Sequence, residues 1–422
     1  MSAVSAAEEF DRFSRDPRLW GDPYPIYRRL QQEAPIYYEP WGTWLVTRYA
    51  DVEALLRQPG LSSLPRQSRR GGAKLETTST SKSVLFYRLI HLSLLNLDPP
   101  DHTRLRALVN KAFTPRVAAQ LRTSIQDCTD RLLDPLTGRG HMDLVADFAY
   151  PLPLEEICVL LGIPLADRPA FTGWLDDFTE RFLAPQREVG ANRPDAHRAV
   201  QIKRQGDKAS QALFDYVIRL AEDRRRQPAD DLLSGLVAAT ADGDTLNDEE
   251  LVAMCILLLM AGHETTANLI ANATHALLRH PAQLEYARTH LPLDRVAIDE
   301  LFRYDSSIQH LTRRTATEDL DVGGTKVRAG DRVYLFNGAA NRDPARFAEP
   351  DALDLQRQDN PHLAFAAGPH YCLGAALARA EVEIALSSML GRLDGLRLDD
   401  GPVRWRENLA RRGPEALALS WG

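Results

Sequence analysis

Apolar residues recur at helical spacing along most of the chain. The strongest run, Leu251 to Gly262, has twelve residues. A membrane span needs about 20, so the run reads as core. It belongs to a longer pattern. Asn247, with Glu250 three residues on, makes a capping-box start and Pro281 marks the end, which predicts one helix over 247–280. At about 1.5 Å per residue it would be about 50 Å long, enough to cross a whole domain. Strand patterns are few. Alternation in IYYEPWGTWLVTRY predicts a hairpin around Pro40 to Gly42, and RTATEDLDVGGTKVRAGDRVYLF predicts short strands with turns at Gly323-Gly324 and Gly330. Residues 60–83 are polar and rich in Gly, Ser and Thr, which suits a functional lid or a simple insertion. Helices are expected from there through residue 240, and a helix-forming stretch with a short β-rich tail closes the chain. The expected fold class is mainly α with small β regions.

Composition narrows the picture. No linker or repeat divides the 422 residues, so one domain, 1–422, is expected. Hydrophobic content of 44% and charged content of 26% fit a globular enzyme with a substantial core. A net charge of −7 and a pI near 5.9 argue against general affinity for nucleic acid. The N-terminal MSAVSAAEEFDRFSRDP has no basic region before an apolar core, so no signal peptide is expected. Four cysteines without paired spacing suggest a reducing cytoplasm.

Three of those cysteines, Cys128, Cys158 and Cys255, fall in apolar helical patterns that suit a small buried hydrophobe. Cys372 differs. It lies between Gly368 and Gly374 in FAAGPHYCLG, just before the stretch LGAALARAEVEIALSSML. Orphan N–H groups and the positive dipole end of that helix favour thiolate over thiol. The glycines allow positive φ or close approach to something large. A thiolate held over a flat object is what an iron porphyrin needs from a protein. Zinc fits poorly, because His370-x-Cys372 has no second ligand cluster.

Three more patterns could carry chemistry. Ala261-Gly262-His263-Glu264-Thr265-Thr266 interrupts the best helix with a glycine and two stiff threonines. A Glu beside a Thr there supplies an acid and a hydroxyl for relaying protons. A zinc-protease reading fails, since position 267 is Ala. Glu300-x-x-Arg303 sets opposite charges on one helical face, in general a solvated pair. Asp98-Pro-Pro-Asp101-His102 starts a helix from which His102 and Arg106 project together, suited to a carboxylate or phosphate.

Together these motifs, in this order and spacing, resemble the cytochrome P-450 superfamily from about Asp22 to the C-terminus. FAAGPHYCLG is similar to its haem-binding loop, Glu300-x-x-Arg303 to its Glu-x-x-Arg helix, and Ala261-Gly262-x-Glu264-Thr265 to its acid–alcohol pair. The resemblance implies that Cys372 is the axial thiolate of haem b, with Phe365 and Gly374 beside it. It implies that His102, Arg106, Arg314 and His370 bind the haem propionates, Arg313 being an adjacent candidate for the role of Arg314. His370 stands where Arg is more widespread in the family. Glu300, Arg303 and Arg357 resemble the structural triad near the sulfur loop, and Glu264 and Thr265 the proton relay to dioxygen. The implied activity is monooxygenation of a hydrophobic small molecule of secondary-metabolite, terpenoid, steroid or fatty-acid type, by hydroxylation or epoxidation.

The chain has no G-x-G-x-x-G fingerprint, so NAD(P)H electrons would arrive through a separate ferredoxin or flavodoxin and its reductase. The basic stretch Arg104, Arg106, Lys111, Arg116 and Arg122 is expected on one helix near the thiolate side, with Lys111 and Arg116 helping an acidic partner to dock. By family position, the substrate pocket is lined by Leu85, Phe86, Ile90 and Leu92, by Leu258 and Ala261, by Ile308 to Leu311, and by a tail loop near Leu409-Ala410. Arg66, Arg69 and Arg70 could attract a substrate carboxylate, or simply serve solubility. A monomer with no membrane span is expected. Two other readings share the fold: a peroxide-driven peroxygenase, and a haem-binding sensor without turnover.

Overall fold

The computed structural model describes residues 4–40, 42–64, 83–112, 115–183, 196–240, 243–311 and 314–422. Helices α1 (Ala6–Arg15) and α2 (Tyr24–Glu33) are followed by strands β1 (Ile36–Glu39) and β2 (Thr43–Val46), helix α3 (Tyr49–Leu56) and strand β3 (Leu61–Ser62). Next come α4 (Ser83–His91), α5 (Asp101–Ala112), α6 (Pro115–Thr137), β4 (His141–Asp143), α7 (Pro151–Leu160) and α8 (Arg168–Leu183). Helices α9 (Ala196–Arg226) and α10 (Leu232–Ala238) precede the long α11 (Asp248–Arg279), with α12 (Pro281–Thr289) and α13 (Arg295–Tyr304) after it. Strands β5 (Arg314–Ala316), β6 (Leu320–Val322), β7 (Thr325–Val327) and β8 (Arg332–Leu335) then lead to α14 (Asn337–Ala340), α15 (Ala375–Arg392), β9 (Arg397–Leu398) and β10 (Ala418–Ser420).

Helix α11 forms where the sequence places it. Asn247 and Glu250 exchange backbone-to-side-chain hydrogen bonds of 3.0 Å each, and Pro281 occupies the first turn of α12. The helix continues through Gly262 and the paired threonines. It is the one helix among the described residues long and apolar enough to cross a membrane, but most of that apolar window is buried inside the protein.

Backbone contacts gather the chain into two compact units. The first comprises residues 1–61, 122–154 and 262–422. Its hairpin pairs β1 with β2 (Tyr37 opposite Leu45), and β8 joins β2 in parallel, within a five-stranded sheet of order β1-β2-β8-β5-β3. β6 and β7 pair around Gly323 and Gly324, whose φ values of 54° and 82° suit the two-residue turn. β4 corrects the expectation of unbroken helices through residue 240. It pairs with β10, Met142 opposite Leu419, and three residues are too few to show a strand period. The main core joins Ile270, Ala273 and Leu277 of α11, Leu301 and Phe302 of α13, and Val382, Leu386 and Met389 of α15. Each large apolar side chain buried there contributes about 1.5–3 kcal/mol.

The second unit comprises residues 62–121 and 155–261. Within it α9 packs on α8, α4 and α10, and α10 packs on α5. Residues 101–122 fall on two helices, not one: α5 ends at Ala112 and α6 begins at Pro115, which takes a first-turn position because its ring would clash inside a helix. Of the 60–83 stretch, residues 65–82, with Arg66, Arg69 and Arg70, lie outside the described residues.

Candidate functional site

The first unit builds a tight loop around Cys372. The Cys372 N–H donates to the Phe365 carbonyl (3.0 Å), the Tyr371 N–H to that of Gly368 (3.0 Å) and the Ala366 N–H to that of Leu363 (2.9 Å). Two left-handed residues turn the chain, Ala366 at φ 58° and Gly368 at φ 69°. Gly368 is required twice over, because a Cβ there would come within 2.6 Å of the Leu56 carbonyl oxygen at the end of α3. Gly374 is another matter. It caps α15 at φ −86°, and no atom lies within 4 Å of a Cβ built on it. Neither backbone strain nor crowding among the described residues asks for glycine there.

Cys372 is half-buried, three residues before α15, and packs against the main core. The other three cysteines are buried. Burial pushes the thiols of Cys158 and Cys255 up, to about 11 and about 12, as expected of inert core cysteines. The Phe365 ring lies under the loop, edge-on to Phe302 of α13 (5.3 Å), with the Arg379 guanidinium 4.7 Å from its centroid. Arg379 and His362 both meet Asp299. Burial tends to raise the Asp299 pKa, yet the His362 and Arg379 contacts outweigh it and hold the carboxyl at about 2.

Glu300, Arg303 and Arg357 are brought together, and the pair on α13 is not solvated. Both side chains are fully buried. Arg303 grips Glu300 with two bonds (2.7 and 2.8 Å) and donates to the carbonyls of Asn341, Pro350 and Ala352. Glu300 also accepts from Arg357, Asn360 and the Asp354 N–H. The cluster pins residues 341–360, the approach to the sulfur loop.

On α11, Glu264 and Thr265 are half-buried and Ala261 is exposed. Glu264 forms an ion pair with Arg411, which the sequence reading missed. The Arg411 N–H is held by Asn408 (3.1 Å), and the residue bridges Ile308. Further bonds run from the Gln309 N–H to the Ala410 carbonyl (2.8 Å) and from the Arg412 N–H to that of Ser307 (2.7 Å). Two of the expected lining segments, 308–311 and the tail loop, therefore lie side by side. Leu311 turns toward the sheet, its N–H bonded to Leu335. The neighbouring His263 packs edge-on against Tyr150 at 4.0 Å, and desolvation lowers its pKa to about 4.

The cationic candidates occupy both units. Arg314 is buried on β5 and His370 is half-buried in the loop; Arg313 lies outside the described residues. In the second unit His102 is buried and Arg106 half-buried, one turn apart on α5. There Arg104 pairs with Asp244 and Glu250, and Lys111, though exposed, donates to the Thr240 carbonyl. In the first unit Arg122 pairs with Glu383. Much of the basic stretch is thus matched locally, and the Arg116 side chain lies outside the description. Leu85 and Ile90 of α4 and Leu311 are half-buried, while Phe86 and Leu258 are buried.

Comparison with known proteins agrees with this architecture. The family model described as cytochrome P-450 matches residues 73–402. The chain is 39% identical over 425 residues to cytochrome P-450 107B1 of Saccharopolyspora erythraea, spanning 99% of this chain and 100% of that one. It is 39% identical over 415 residues to nocardicin C N-oxygenase of Nocardia uniformis subsp. tsuyamanensis, spanning 95% and 98%. The crystal structure of P-450BioI in complex with acyl carrier protein ligated to hexadec-9Z-enoic acid is similar with a TM-score of 0.83 at 33% identity, over 99% and 100% of the two chains.

Proposed function

The chain belongs to the cytochrome P-450 family and is a monooxygenase, and from that premise we propose that it binds haem b through Cys372 and oxygenates a hydrophobic small molecule. One atom of O2 enters the substrate and the other leaves as water, with two electrons and two protons consumed. The supporting observation is the sulfur loop: one half-buried thiol, outside any regular element, fixed by three backbone hydrogen bonds and a Gly368 that admits no side chain. The donor set fits haem. Among the described residues no group of three or more His, Cys, Asp or Glu gathers to hold a metal ion, whereas porphyrin iron needs a single protein ligand on this side. Gly374, glycine without a local reason, fits close approach of a flat group.

When bound through a thiolate, the haem supplies the electron density that favours O–O cleavage. The chain's own residues do the rest. Phe365 backs the loop on its core side. His102, Arg106, Arg314 and His370 would hold the propionates by charge-assisted hydrogen bonds. Thr265 would offer its hydroxyl as a proton donor toward the substrate side, and Glu264 would exchange protons between that hydroxyl and water. Glu300, Arg303 and Arg357 keep the approach to the loop in place.

Relatives named for nocardicin C N-oxygenation, and one seen with a carrier-held fatty acyl chain, support a substrate of secondary-metabolite or fatty-acid type. Electrons would come from a ferredoxin or flavodoxin, with Lys111 at the docking face, and the protein would act as a cytoplasmic monomer. Thr265→Ala tests the relay. General acid–base steps contribute about 10²–10⁴-fold, so with NAD(P)H and redox partners the coupling of product to electrons should fall at least tenfold and peroxide should leak. Undiminished coupling, or full turnover with peroxide alone in both proteins, would favour the peroxide-driven reading.

A further inference from the structure

Arg379 lies in the second turn of α15 with its side chain 18% exposed. It reaches back to the sulfur loop and touches it at two places. The guanidinium carbon is 4.7 Å from the Phe365 centroid, and Nη1 donates to the Tyr371 hydroxyl (3.4 Å). Those two residues frame the sulfur: the Phe365 carbonyl accepts the Cys372 N–H, and Tyr371 directly precedes Cys372. From α13, Asp299 accepts from Arg379 Nε (2.6 Å) and meets His362 Nε2 at 3.3 Å. Asp299 also meets Arg295, but that side chain is 76% exposed and water screens the pair. The planar fork suits the place, because Nε, Nη1 and the flat face each serve a different neighbour; a lysine has a single charged tip.

We propose that Arg379 is a positioning residue for the Cys372 thiolate, and that its charge, balanced against Asp299, sets the potential at which the bound iron takes up its first electron. This rests on the haem reading above. The step is the one-electron reduction of ferric to ferrous iron, with the electron coming from the external donor. A cation beside the loop favours the more electron-rich state, and a carboxylate left without its partner disfavours it. Arg379 and Asp299 therefore act in opposite directions on the same equilibrium. A residue that only packed against Phe365 would have no such sign.

Spectroelectrochemical titration of the haem-loaded full chain tests this, at about pH 8.5, above the range in which a free imidazole titrates. Arg379→Gln leaves Asp299 uncompensated and should shift the reduction equilibrium about tenfold toward ferric iron, a fall of about 59 mV. Arg379→Lys keeps the charge and should stay near wild type. R379Q/D299N removes both charges and should return toward wild type, although it loses more contacts than the single variant. Asp299→Asn alone should raise the potential. An unchanged potential in Arg379→Gln, a double variant at least as far from wild type as the single, or a fall in Arg379→Lys as large as in Arg379→Gln would each overturn the proposal. If Arg379→Gln takes up no haem, Asp299→Asn decides: a raised potential supports the proposal, and an unchanged or lowered one overturns it. Failure of the haem reading would show separately, in wild type, as absence of the red-shifted carbon-monoxide band.

Discussion

Arg411 reaches Glu264 across 147 positions of sequence. Nothing in the spacing of NLARRGPE says which of its two arginines makes that contact, because Arg412 next to it pairs instead with Asp305. A carboxylate that moves protons between water and Thr265 has to release this guanidinium or pass protons beside it. Arg411→Gln should therefore leave haem loading intact, lower the product formed per NAD(P)H several-fold, and be partly rescued by Arg411→Lys. Unchanged coupling in Arg411→Gln would remove Arg411 from the relay. The unusual setting of Cys372, half-buried in a loop just before α15 while the other three cysteines are buried, is by contrast legible from sequence, since a cysteine between glycines just before a helix breaks the local pattern that the other three obey.

Among the elements, α13 links the buried charge cluster to the sulfur loop. One face presents Glu300 and Arg303 to the 341–360 segment, and Phe302 meets the ring of Phe365. The motif spacing puts the two charges side by side on a helix but does not tell whether water reaches them; that depends on carbonyls supplied 38 to 49 residues later. Removing one partner of a buried pair costs about 3–5 kcal/mol. Glu300→Gln should lose stability of that order in urea unfolding, and a loss below about 1 kcal/mol would show that the pair is dispensable. Locally encoded elements were readable, as α11 with its capping box and the β1–β2 hairpin show. β4 was not, because it exists only through its pairing with β10 at the far end of the chain.

On the scale of the whole molecule, stability depends on pH through buried imidazoles. Burial lowers His263 and His310 to about 4, from 6.5 for the free side chain. The unfolded chain binds protons at these sites before the folded one does, so stability is full above about pH 6.5 and falls as pH drops toward 4. Each site contributes up to about 3 kcal/mol over that window. Urea midpoints measured from pH 7 to 4 should decline, and less steeply in His263→Gln; an equal slope in that variant would deny the imidazole this role. The substrate is the least legible property at this scale. Its candidate lining comes from α4, α11, the 308–311 segment and the tail loop, which no single stretch of sequence joins.

The central claim is that the Cys372 thiolate binds haem iron. The absorbance spectrum of the reduced, carbon-monoxide-bound protein tests it most directly. Thiolate ligation predicts a strongly red-shifted Soret band in wild type and its loss in Cys372→Ala. Absence of that band from folded, haem-loaded wild type, or its persistence in Cys372→Ala, would contradict the account.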